Sequence, residues 1–186
     1  MLKDVKKASY LCELCFSASH NLCMKKFIVL FLLLSGLNGI SSAQTAKIYN
    51  PGADAAAEIR LAVSKANQEG KHVLLQIGGN WCVWCLRFNE LVTKNDTLAT
   101  KIKADYVVVH VNYSKENKNE QVLASLGYPQ RFGFPVFVVL DGKGDRLHTQ
   151  NSSYLESGDG HSPKKVLEFL TNWSPEALDP KSYRAK

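Results

Sequence analysis

The apolar and polar positions alternate between two periods along most of the chain. After Asp54, which can cap a helix, residues Ile59, Ala62, Val63 and Ala66 recur at helical spacing up to about Glu69, and Gly70 ends the run. His72-Val73-Leu74-Leu75-Gln76-Ile77, closed by Gly78-Gly79, is a short apolar block that reads as a buried strand. A helical pattern follows through Leu86, Phe88, Leu91 and Val92, with a break at Asn95-Asp96 and a second helical piece to about Lys103. Asp105 to Asn112 holds a β-branched run, Tyr106 to Val111, of the kind that fills central strands. A short helix over about 119–126 stops at Gly127, and Pro129 cannot continue it. Pro135 to Leu140 is a third buried strand. Asp141-Gly142-Lys143-Gly144 turns the chain into a hairpin partner, Arg146 to Gln150. After a polar loop, Ser162 caps a last helix with Pro163 at its first position and Val166, Leu167, Leu170 and Trp173 on its apolar face. The residues after Ser174 form a polar tail that is expected to fray. A weak strand signal at Ile48-Tyr49 precedes all of this. Strands alternating with helices imply an α/β fold, a central mixed sheet with helices on both faces.

The first 43 residues follow a different pattern. Met24-Lys25-Lys26, the apolar run Phe27 to Leu34 and the small residues Ser41-Ser42-Ala43 stand in the order of a secretory signal, with processing expected near Ala43. The apolar run is short for a membrane span, so an uncleaved anchor is the lesser reading. Residues 1–23 fit nothing in the signal and are read as an upstream extension. Their Cys12, Cys15, His20 and Cys23 have zinc-like spacing, but the cluster would be left behind on processing. The expected organisation is therefore an extension over 1–23, a signal peptide over 24–43, one domain over 44–174 and a tail over 175–186. The order of signal features points to export, and the destination expected is the periplasm of a Gram-negative bacterium.

Charge changes the picture little. The chain carries 23 Lys and Arg against 17 Asp and Glu. Residues 1–43 hold five of the former and two of the latter, which leaves 18 against 15 and a net of +3. These basic residues are scattered, so no nucleic-acid partner is expected. A composition that is 45% hydrophobic and 22% charged is that of an ordinary globular chain, and we expect a monomer.

Cysteine changes it more. Of five cysteines, only Cys82 and Cys85 follow the signal. Export makes a disulfide permissible. Closing so small a loop stabilises a fold only modestly, so the pair is better suited to chemistry than to stapling. Disulfide exchange needs a thiolate and a second thiol near enough to resolve the mixed disulfide. Cys82 at a helix start would be the attacking thiol, favoured as an anion by free N–H groups and the macrodipole, and Cys85 one turn in would resolve. The alternative is a binding domain that keeps the pair as a structural disulfide. Two cysteines are too few for a closed zinc site, and no metal or cofactor is expected. Trp81 could shield the disulfide and help dock partners, or simply pack. Trp84 could tune the pair. His110 near the end of a strand is read as packed.

Trp81-Cys82-Val83-Trp84-Cys85 between a buried strand and a helix, with Gly133-Phe134-Pro135 ahead of a hairpin, resembles the thioredoxin superfamily. The likeness covers roughly Asp54 to Trp173 and is nearest to exported bacterial thioredoxin-like proteins with a Trp-Cys-x-Trp-Cys site. It implies the thioredoxin fold, a redox-active Cys82–Cys85 disulfide, and a cis proline at Pro135 packed beside the dithiol. Trp81, Phe134 and Pro135 would then contact substrate. It also implies protein thiol/disulfide substrates and a membrane electron-donor protein as partners. Two positions depart from the cytosolic members: Gln76 stands where they bury an Asp, and Gly78 where they carry an aromatic ring.

Overall fold

The computed structural model describes residues 47–184, so the proposed extension and signal peptide lie outside the described residues. The first helix, α1 (Ala55–Glu69), starts where Asp54 accepts from the Ala57 N–H and ends at Gly70. Strand β1 (His72–Gly78) follows and is buried along its whole length. Helix α2 (Val83–Lys94) begins at Cys82. Asn95 ends it and caps α3 (Asp96–Asp105) by accepting from the Leu98 N–H, which explains the punctuation expected at that point. Strand β2 (Tyr106–Asn112), helix α4 (Glu120–Ser125), strand β3 (Val136–Leu140) and strand β4 (Arg146–Asn151) complete the central layer and its crossovers.

The sheet order is β2-β1-β3-β4. β1 runs parallel to β2, pairing Gln76 with His110, and antiparallel to β3, which pairs antiparallel with β4. The sheet is therefore mixed, as expected. Its two faces bury separate cores. On one, Val73, Leu75 and Ile77 meet Ala62 and Ala66 of α1 and Leu123 of α4. On the other, Leu74 and Phe137 meet Phe88 of α2, Leu98 of α3, and Val166 and Leu170 of α5 (Pro163–Asn172). Alternate side chains of β1 serve opposite faces, so the strand needs apolar residues throughout, and the unbroken run in the sequence is the result.

Three segments differ from the expectation. The polar loop after β4 contains a short 3₁₀ turn, Ser152–Leu155, and a small hairpin of β5 (Glu156–Ser157) and β6 (Gly160–His161). The tail is not wholly irregular: buried Ser174 caps a short helix, α6 (Pro175–Leu178), by accepting from the Ala177 N–H. The strand signal at Ile48-Tyr49 gives no strand. The backbone of Tyr49 instead pairs with the side chain of Asn80, its N–H donating to Oδ1 at 3.1 Å and its carbonyl accepting from Nδ2 at 2.7 Å. One amide side chain thus takes the place of a neighbouring strand.

Candidate functional site

The site is built at the end of β1, where the strand leaves the sheet. The Cys82 N–H donates to the Gly79 carbonyl at 3.0 Å, closing a tight turn. Cys82 itself is extended (φ −90°, ψ 102°), and its sulfur accepts from the Cys85 N–H at 3.1 Å. A sulfur therefore fills the capping position that Ser, Thr, Asp or Asn usually occupies, using one of the free N–H groups of the first turn. Cys82 and Cys85 form a disulfide with their Cα atoms 5.2 Å apart. Cys85 is fully enclosed, whereas Cys82 retains 4% exposure. Both are buried, so the outer cysteine is less open than the accessible attacking thiol expected there.

The paired glycines follow from this crowding. A Cβ on Gly78 would run into Cys85 Sγ and lie 3.0 Å from the Tyr49 hydroxyl. One on Gly79 would lie 2.7 Å from Trp81 Cδ1 and 2.8 Å from the Tyr113 carbonyl oxygen. At Gly78, where the cytosolic members carry an aromatic ring, the Tyr49 ring packs with the two cysteines instead.

An aromatic wall stands beside the disulfide. The Phe134 ring packs against the cysteines, stacks on Tyr113 (centroids 4.7 Å apart) and meets the Trp81 ring edge-on at 5.5 Å. Trp81 Nε1 donates to the Tyr113 carbonyl at 2.7 Å, which fixes a ring that is 58% exposed. That exposure removes the reading of Trp81 as ordinary core. Beyond it lies a shallow groove of about 380 Å³ lined by Trp81, Tyr113, Ser114, Lys115, Glu116 and Lys118. The Phe134–Pro135 peptide bond is cis and Pro135 is buried.

Trp84, between the cysteines, turns to the opposite side. Its ring meets His161 of β6 edge-on at 5.6 Å, and the Arg87 guanidinium lies over it at 5.5 Å. Arg87 also donates to the Asp159 carbonyl, tying the β5–β6 hairpin to α2. Neither ring nitrogen of buried His161 has a hydrogen-bond partner, and burial pushes its pKa down to about 4. His110 meets the Tyr49 ring edge-on at 5.5 Å, and burial lowers its pKa as well. Tyr49, Tyr113 and His161 were not singled out as functional from the sequence. The only signal was the aromatic at Tyr49, in a segment without a periodic pattern.

The family model described as Thioredoxin-like matches residues 54–142, a stretch that contains the whole Trp81–Cys85 turn and Pro135. This stretch of the chain belongs to the thioredoxin superfamily. A curated relative is the thiol:disulfide interchange protein DsbD of Salmonella typhi, 27% identical over 128 residues. The match takes in 64% of this chain but only 22% of that protein, so the chain spans a small part of its relative. Among solved structures, the disulphide isomerase from Xylella fastidiosa Temecula1 superposes with a TM-score of 0.62 at 23% identity, covering 68% of this chain and 96% of the isomerase. At that identity the likeness speaks for the shared thioredoxin fold.

Proposed function

We propose that the protein is an exported thiol-disulfide oxidoreductase that exchanges disulfides with protein substrates through Cys82 and Cys85. The observation that carries the reading is the position of the disulfide, with Cys82 Sγ as the cap of α2 and Cys85 enclosed beneath it. When the disulfide opens, Cys82 sulfur keeps a free helix N–H group and the positive end of the macrodipole, which favour its thiolate. Trp81, Phe134 and Pro135 form the docking surface for the substrate chain, and the likeness to a segment of an interchange protein supports the same chemistry.

The direction we infer is reduction of substrates, with electrons supplied by a membrane donor protein in the periplasm of a Gram-negative bacterium. A strongly stabilised thiolate favours the dithiol and makes an oxidant. Here no Lys or Arg lies between Gly78 and Leu86, and the nearest cation along α2, Arg87, is engaged with the Trp84 ring and the Asp159 carbonyl. Helix-terminus stabilisation alone gives a more reducing couple than terminus plus cation.

The low exposure of Cys82 favours a second reading, a silent binding domain with a structural disulfide. Free-thiol titration after mild reduction and an insulin-reduction assay separate the two. We expect two thiols to be released and insulin to be reduced. A disulfide that resists mild reduction, with no insulin turnover, would establish the silent domain.

A further inference from the structure

Gln76, buried in the middle of β1, does not act as the Asp it stands in for. An amide has no proton to exchange at neutral pH. Its Nε2 donates to the Tyr49 hydroxyl oxygen at 2.9 Å and to the Cys85 carbonyl at 3.3 Å. The Tyr49 oxygen is therefore held as an acceptor on one side, which leaves its own O–H to donate elsewhere. Tyr49 is 1% exposed and packs in one cluster with Cys82 and Cys85. Its hydroxyl and Cys85 Sγ border the same small space above Gly78, a space that a single Cβ would fill against both.

Building on the exchange reading above, we infer that Tyr49 is a further catalytic residue, whose hydroxyl donates a hydrogen bond to the Cys85 thiolate whenever the disulfide is open. The step balances without a proton leaving the tyrosine. An incoming thiolate attacks Cys82 Sγ, an S–S bond forms to it, the Cys82–Cys85 bond breaks, and Cys85 Sγ departs with the electron pair and the negative charge. In the reverse step the Cys85 thiolate attacks Cys82 Sγ and expels the partner thiolate. At Cys85 the charge appears in a place closed to bulk solvent, where one correctly aimed donor matters most. Burial pushes the Tyr49 hydroxyl well above its ordinary pKa, so it stays protonated and serves as a donor, never as a base. Gln76 is the positioning residue: it fixes the hydroxyl oxygen and so the direction of its proton.

The test is the pH profile of the resolving step. Reduced full-length domain is mixed with glutathione disulfide, and release of the second glutathione is followed after Cys82 has formed the mixed disulfide. Tyr49→Phe keeps the ring and removes the donor. Below the midpoint of the profile we expect resolution to slow by about threefold, because fewer Cys85 thiols are ionised without the donor, offset in part by the greater nucleophilicity of the thiolate that remains. The midpoint of the profile should move to higher pH, while the first attack by Cys82 is unchanged. An unaltered resolving step in folded Tyr49→Phe overturns the inference and leaves the exchange reading standing. A wild type inert towards both glutathione disulfide and insulin removes both. Should Tyr49→Phe not fold, fluorotyrosine at position 49, a stronger donor, should move the midpoint to lower pH, and no movement overturns the inference.

Discussion

At the scale of single residues, the two sulfurs have unequal surroundings and should have unequal roles. Cys82→Ser should abolish insulin reduction because the attacking atom is gone. Cys85→Ser should leave the first attack intact and let mixed disulfides accumulate, visible as adducts on non-reducing gels. Faster alkylation of Cys85 than of Cys82 in the reduced protein would reverse the assignment. Gly78 is the other residue with a sharp consequence. Gly78→Ala puts a methyl group into Cys85 Sγ and beside the Tyr49 hydroxyl. Overpacking of this kind costs about 1–3 kcal/mol. The loss should be larger in the oxidised protein, where the sulfur is tethered, than in the reduced one, where it can rotate away. Denaturant unfolding of both forms measures the difference.

At the scale of elements, the β5–β6 hairpin controls the flank of α2. His161 sits between Trp84 and Phe88, edge-on to both rings, with no partner for either nitrogen. Its pKa is pushed from 6.5 down to about 4, so the unfolded chain takes up a proton over a range where the folded one does not. Stability is therefore full above about pH 6.5 and falls as the pH drops towards 4, by on the order of 3 kcal/mol. His161→Phe keeps an aromatic ring in the contact and should flatten that dependence, as measured by thermal unfolding across the range. An equal acid loss in the variant would show that other groups govern it. This hairpin was hidden in the sequence. Its strands are two residues each, and its polar residues give no alternation to read. The long elements were legible because each has one strong cause: Asp54 and Ser162 as caps, the apolar blocks of β1 and β3 as two-faced strands, and Asn95 as a shared boundary. The Cys82–Cys85 disulfide was legible from its motif, and the cis bond at Pro135 from the family resemblance. Tyr49 was not, because its place depends on an Asn80 side chain thirty-one positions away acting as a strand.

At the scale of the whole molecule, the mixed sheet holds the disulfide at one end of β1, with a separate core on either face. None of the helices among the described residues is long and apolar enough to cross a membrane. We expect the exported product to begin at or near Gln44, which mass measurement of the protein recovered from the periplasm will check; a mass that includes residues 24–43 would point to an anchor. The reductase assignment also belongs to this scale, because a potential reflects all the charges around the pair. Equilibration with glutathione buffers should give a couple well below that of the strong oxidants, about −120 mV. A value near that figure would make the protein an oxidant.

The clasp between Tyr49 and Asn80 also bears on how the protein should be engineered. The ring that lies against the disulfide hangs on a short segment just ahead of α1, held by Asn80 at the Tyr49 backbone, by Gln76 at its hydroxyl and by Asn117 at the Pro51 carbonyl. A bulky fusion attached just before Lys47 would pull on that clasp and disturb the sulfur chemistry without harming the sheet. A handle placed after the exposed Tyr183 would load only a peripheral turn. Two tagged versions of one protein could thus give different activities with the same melting curve, and the arrangement favours the C-terminal tag for any kinetic work.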